Sequence, residues 1–192
     1  MNEELCGVCR RGCAPGSVDQ KRCLADPRLN LGSGEMLKAD HINYDMTEFQ
    51  RGDLCTDVIG RIEVVADILP AGVFAGILSS HVVEHFRPPG AKKMLQDCFA
   101  LLRHGGLLIL EGPDVLGMYR HYSDDISGLI RGLYGNQPHV DKWGDEWSHR
   151  WGYTKETAAE LMTSCGFRVV HVGHGRTHGM GNRDFRVEGV KP

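Results

Sequence analysis

The run Leu29-Asn30-Leu31-Gly32-Ser33-Gly34 breaks an apolar segment at two glycines, and the next apolar run, Ile42-Asn43-Tyr44, closes on the carboxylate of Asp45. Glycines at the end of a first strand let a ligand approach the backbone, and an acid ending the second strand can accept hydrogen bonds from two ribose hydroxyls. This is the chemistry of a nucleoside-binding crevice. A GxG turn alone says little. Here Val64-Val65-Ala66-Asp67 and Ile77-Leu78-Ser79-Ser80-His81 repeat the pattern of an apolar run ending in a polar residue, so several strand ends would aim polar groups at one crevice.

Three further sets of residues could do chemistry. His81-Val82-Val83-Glu84-His85 has the HxxEH spacing of inverted zinc proteases. That reading needs both histidines on one helical face, whereas the motif follows an apolar strand directly and meets Pro88-Pro89 after barely one turn. His81 therefore reads as a strand-end residue, and Glu84 and His85 as groups that cap or brace the turn. Cys6, Cys9, Cys13 and Cys23 could close a tetrahedral zinc site, but their spacing is not that of paired CxxC knuckles, and a mobile thiol-bearing arm is the reading preferred to a metal site. No metal ligand set is assigned. His121, Tyr122, His139, Trp143, Trp147, His149, Trp151 and Tyr153 crowd one long segment that reads as an aromatic cap over the ligand edge of a sheet. His149 is the candidate there for acceptor contact or proton removal.

The elements that must position these groups follow from periodicity. Residues 1–27 show neither helical nor strand period and read as a Cys-rich irregular arm; the domain spans 28–192. Strands are expected near 28–32, 41–45, 62–67, 74–81, 106–112, 167–173 and 184–190, rich in Val, Ile and Leu as a sheet covered on both faces requires. Helices are expected over Ala91–Arg103 and after the N-cap Thr154. The alternation implies an α/β, doubly wound sheet of seven strands, closed by an antiparallel hairpin at one edge. Only seven residues separate Gly34 from Ile42, too few for the usual helical crossover, so the first helix should shrink to a turn. With 192 residues the chain suits one domain. A net charge of −3 disfavours a nucleic-acid substrate, and apolar runs such as Leu107–Leu110 are too short to span a bilayer. A soluble, cytoplasmic protein is expected, of undetermined oligomeric state.

In this order the pieces resemble the compact, small-molecule class I S-adenosylmethionine-dependent methyltransferases. The carrying residues are LNLGSG, Asp45, Asp67, SSHVVEHF, LLRHGG before LLILEGPDV, and WGYTKETAAELMTSCGF. The resemblance covers roughly residues 28–192 and implies a Rossmann-like sheet with S-adenosylmethionine as cofactor. It places Gly32, Ser33 and Gly34 beneath the amino-acid end of that cofactor, Asp45 at the ribose, and Asp67 with Ile68 at the adenine, with Met46 as a further cofactor-binding residue. Ser80 would also face the cofactor, and His81 the cofactor and acceptor, making His81 and His149 the candidate bases. The implied acceptor is a small molecule or sugar. The competing reading is a non-catalytic binding or scaffold module of the same fold, with the cysteine arm as its partner- or metal-binding site.

Overall fold

The computed structural model describes residues 25–179 and 182–192, so the arm cysteines Cys6, Cys9, Cys13 and Cys23 lie outside the described residues. The main sheet is built from β1 (Arg28–Leu31), β2 (Ile42–Asp45), β5 (Val58–Ile59), β6 (Phe74–Ser80), β7 (Leu102–Pro113), β8 (Arg168–His174) and β9 (Asp184–Val190), in the order β5-β2-β1-β6-β7-β9-β8. Strands β3 (Gln50–Arg51) and β4 (Leu54–Cys55) form a separate small hairpin. The five strands from β5 to β7 pair in parallel, and β9 runs antiparallel between β7 and β8. The expected edge hairpin is therefore β8–β9, with its reversed strand one place in from the rim.

The strand ends converge because β1 is flanked by β2 on one side and β6 on the other, reversing the winding direction there. Crevices at such a reversal, outside the carboxyl ends of parallel strands, are where open α/β sheets bind ligands. Helix α1 (Val65–Ile68), α2 (Pro88–Leu101) and α6 (Lys155–Ser164) flank the sheet. Leu29, Leu31, Phe74, Ile77, Met94, Leu95, Leu101, Leu108 and Phe185 are all almost fully buried in one core. Thr154 caps α6 as expected, in a reciprocal pair with Thr157. Helices α3 (Val115–His121), α4 (Ile126–Tyr134) and α5 (Gln137–Trp143) form the cap, and Trp143 and Trp147 pack on the buried Phe49. Among the described residues no helix is long and apolar enough to cross a membrane.

Two local expectations are corrected. The third strand lies at Val58–Ile59, not 62–67; residues 62–64 form a 3-10 turn and 65–68 a helical turn. The β-branched run Val64-Val65 suggested a strand, but Val65 and Leu69 are buried while Asp67 between them is exposed; a strand would put all three on one face, and a helical turn does not. Helix α2 also stops two residues early. Leu102 turns extended, is fully buried and pairs with Phe74, while Arg103–Gly106 bulge out before the ladder resumes at Leu107.

The first crossover contains no helix, as its length requires. Its backbone groups must then find other partners, and Asn43, fully buried on β2, supplies several. Its Oδ1 accepts from Asn30 Nδ2 at 3.0 Å and from the Lys38 N–H at 2.9 Å, and its Nδ2 donates to the Lys38 carbonyl at 3.1 Å. Asn30 Nδ2 also donates to the Met36 carbonyl at 2.9 Å. Replacing the amide by an isosteric apolar group strands these partners. Asn43→Leu should lower stability by about 2–4 kcal/mol, read by urea denaturation; a loss below 1 kcal/mol would show that the amide does not hold the crossover. Deleting residues 1–24, by contrast, should leave cooperative thermal unfolding intact, because the helix and strand pattern begins after Pro27.

Candidate active site

A cavity of about 730 Å³ opens at the carboxyl ends of β1, β2 and β6 beneath the cap. That size suits a bound small molecule or cofactor. Gly32, Ser33, Gly34, Asp45, Met46, Ser80, His81 and His149 all line it. Asp67 and Ile68 do not. With the third strand displaced, Asp67 sits exposed on α1 and Ile68 packs against the core, and Arg61, Ile62 and Glu63 occupy the cavity wall after β5 instead.

The glycine loop is shaped by conformation. Gly32 has φ +67°, and a Cβ there would collide with a Val82 methyl; Gly34 has φ +49° with nothing near the place of a side chain. Gly32 N–H and Ser33 N–H both donate to the Tyr44 carbonyl, at 2.9 and 3.0 Å. Asp45 then pins the loop, accepting from Gly34 N–H at 2.8 Å through Oδ2 and from Thr47 N–H at 2.9 Å through Oδ1. Burial raises its carboxyl pKa, and these N–H donors oppose the rise. Each carboxylate oxygen keeps a further lone pair for an incoming hydroxyl. Among the described residues the Ser33 and Ser80 hydroxyls are buried without a hydrogen-bond partner, as is the Trp147 indole N–H at the cap end, and all three residues line this cavity.

His81 follows β6 at φ 56°, a left-handed conformation uncommon for a side-chain-bearing residue and typical of functional turns. Its N–H is held by the Glu111 carbonyl at 3.0 Å. Its Nε2 stands 3.1 Å from Asp184 Oδ2 and its Nδ1 3.3 Å from Glu84 Oε1. Burial pulls its pKa down, but the hydrogen bonds to Asp184 and Glu84 prevail and hold it up at about 9. Glu84 is the complement: burial pushes its pKa up, and the His81 imidazolium prevails and holds it at about 2. With a carboxylate at each ring nitrogen, His81 bridges Glu84 and Asp184. Strand β9 supplies Asp184, itself clamped by Arg183 at 2.8 and 3.0 Å.

His149 reaches the cavity through backbone anchors. Its N–H donates to the Tyr134 carbonyl at 3.1 Å, and the next two N–H groups, of Arg150 and Trp151, donate to the Glu84 carbonyl at 2.8 and 3.2 Å. Its Nδ1 is 2.9 Å from the Gly132 carbonyl, and burial lowers its pKa. The neutral ring therefore carries its proton on Nδ1 and keeps the Nε2 lone pair.

Glu84, Asp184 and the Arg61–Glu63 segment were not foreseen as cavity or site groups. Asp184 carries no signal in the sequence, since a strand-start acid 103 positions from His81 meets it only through the β7–β9 pairing. Removing the His81 side chain leaves Glu84 buried without its cation. His81→Ala should cost about 3 kcal/mol of stability in urea denaturation, and an unchanged midpoint would show that the bridge does not brace the fold.

The fold is that of class I S-adenosylmethionine-dependent methyltransferases. A S-adenosylmethionine-dependent methyltransferase from Archaeoglobus fulgidus is similar over 90% of this chain and 89% of its own, with TM-score 0.60 and 16% identity. The Burkholderia thailandensis 1,6-didemethyltoxoflavin-N1-methyltransferase, solved with 1,6-didemethyltoxoflavin and S-adenosylhomocysteine, is similar over 90% of this chain and 76% of its own, with TM-score 0.56 and 15% identity. One chain of the Haloferax volcanii complex between the Trm112 methyltransferase activator and a methyltransferase gives TM-score 0.58 and 12% identity over 91% and 89% of the two chains. No family model matches the sequence. No curated protein sequence matches it either.

Proposed function

We propose that the protein transfers the methyl group of S-adenosylmethionine to a small-molecule acceptor. The observation that carries this is the pairing of a side-chain-free glycine loop at the end of β1 with the Asp45 carboxylate at the end of β2, both facing one cavity of cofactor size. The residues fit the cofactor. Gly34 leaves its backbone open to the amino-acid end, Asp45 retains acceptor capacity for the ribose hydroxyls, and the unpartnered Ser33 and Ser80 hydroxyls offer further polar contacts. Arg61, Ile62 and Glu63, which stand after β5, would frame the adenine in place of Asp67 and Ile68.

When bound, S-adenosylmethionine supplies an activated sulfonium methyl. The chain's own task is then alignment: to hold an acceptor in line with the methyl–sulfur bond and exclude competing water. The cap provides that chamber. Trp143 and Trp147 stack with ring centroids 6.1 Å apart and line the cavity together with Tyr122 and Met118, an apolar lining suited to a small, flat molecule. His149 stands there with its Nε2 free to contact the acceptor or take its proton, whereas His81 positions Glu84 and Asp184.

The test is calorimetric titration with S-adenosylhomocysteine and S-adenosylmethionine. The parent should bind both, and Asp45→Ala should weaken binding by roughly 1–3 kcal/mol through loss of charge-assisted acceptors. Affinity equal to the parent's would remove Asp45 from the ribose, and absence of binding by the parent would favour a scaffold module.

A further inference from the structure

The cavity wall holds a set of metal-ligand side chains apart from the loop and carboxylate assigned to the cofactor. A Glu84 oxygen and one ring nitrogen from each of His85 and His149 lie within 4.8 Å of one another. His85 Nδ1 meets the Ser148 carbonyl at 3.1 Å, and His149 Nδ1 meets the Gly132 carbonyl at 2.9 Å. A carbonyl only accepts, so each ring carries an N–H at Nδ1, and the neutral tautomer of each then has its lone pair on Nε2. A far-side carbonyl that fixes ring and tautomer is the usual support of a metal-binding imidazole. His149 Nε2 already stands 4.0 Å from Glu84 Oε1.

Glu84 supplies a second, independent observation. It is 2% exposed, and its Oε2 has no hydrogen-bond partner among the described residues. The His81 contact falls on Oε1, leaving Oε2 without a partner there. His81 answers one oxygen only, and a buried carboxylate oxygen left without a partner is costly until a donor or cation satisfies it.

We propose that Glu84, His85 and His149 bind one divalent first-row transition ion of the zinc and manganese kind, with coordination positions left open to the cavity that both histidines line. Two imidazole nitrogens and one carboxylate suit such ions better than the all-oxygen sets of calcium or magnesium. Bonds of about 2.0–2.2 Å would put the ligand atoms roughly 3–3.5 Å apart, a small side-chain contraction from the observed spacing. His81 then orients the Glu84 ligand from behind, tied in turn to Asp184. Only two residues of the HxxEH motif take part. The third ligand comes from the cap, 64 positions after His85 in chain order, held there by the Glu84 carbonyl.

The ligand class for the open positions is an acceptor oxygen, such as a hydroxyl, whose acidity the ion would raise; this part rests on the proposed methyl transfer. The acceptor O–H gives its proton to solvent, an O–CH3 bond forms as the C–S bond breaks, and S-adenosylhomocysteine departs as a neutral thioether. Coordination would then take the place of direct proton removal by His149.

The experiment uses the full chain, stripped of metal and dialysed against Zn2+ or, separately, Mn2+. Bound metal is counted in the parent, in His85→Ala, in His149→Ala, and in a variant carrying Cys6→Ser, Cys9→Ser, Cys13→Ser and Cys23→Ser. The parent and the serine variant should share one equivalent that each histidine variant loses or binds on the order of 100-fold more weakly. Equal metal affinity in parent and histidine variants would overturn the proposal, as would absence of metal from the serine variant. If a histidine variant fails to fold, Co2+ added to the serine variant decides: a visible spectrum of nitrogen and oxygen ligation supports the site, and free aqueous Co2+ alone refutes it. Titration of the same samples with S-adenosylhomocysteine separates the two readings. Metal without cofactor binding keeps the site and defeats the methyltransferase; cofactor without metal does the reverse.

Discussion

One buried residue, Glu84, joins three parts of the molecule that otherwise share little. Its carboxylate faces the His81 ring at the end of β6, and that ring passes on to Asp184 at the start of β9. Its carbonyl receives the N–H groups of Arg150 and Trp151, the exit of the cap. A carboxylate taken from water costs several kcal/mol unless its charge is matched, so the strand end, the edge hairpin and the cap must close together. The cap itself buries few large side chains, and α3 to α5 leave Leu116, Tyr119, Ile126, Ile130 and Tyr134 exposed. Its seat therefore depends on these polar anchors and on the Trp143 and Trp147 contacts with Phe49.

The hairpin side of the cavity is braced by a second buried carboxylate. Glu111 on β7 accepts the backbone N–H groups of Arg176 and Thr177 at 3.1 and 2.9 Å, and pairs with Arg186 at 2.6 Å. Burial would raise its pKa, and these donors outweigh burial and lower it. The loop after β8 is thereby brought over the strand ends, where the His178 ring meets the His81 ring at a tilt of 50°, with centroids 4.1 Å apart. Charge is thus concentrated where the parallel strands end and nearly absent from the core between sheet and helices, which is the division of labour that lets a rigid sheet carry a polar site.

The crossover between β1 and β2 shows the same economy in another form. A helix there would satisfy its own backbone; seven intervening residues cannot, and the Asn30 and Asn43 amides do it from the sheet. The glycine loop keeps its shape through Tyr44 and Asp45, so a carboxylate at the cavity also holds the loop that lines it.

What the sequence determined by itself were the features set by local period and by residue type at strand ends. The parallel strands, the terminal hairpin and the helix-free first crossover follow from apolar runs and their spacing, and Gly32, Ser33, Gly34, Asp45, Ser80 and His81 could be placed at the crevice because a strand end fixes where its next residue lies. The same logic misplaced Asp67. Val64-Val65 reads locally as strand, and the burial of Val65 and Leu69 that makes it a helical turn exists only once α2 packs against it. Tertiary structure alone decided the meaning of His81, Glu84, His85 and His149. Their ring orientations and mutual distances depend on Asp184, Ser148 and Gly132, which come from distant segments.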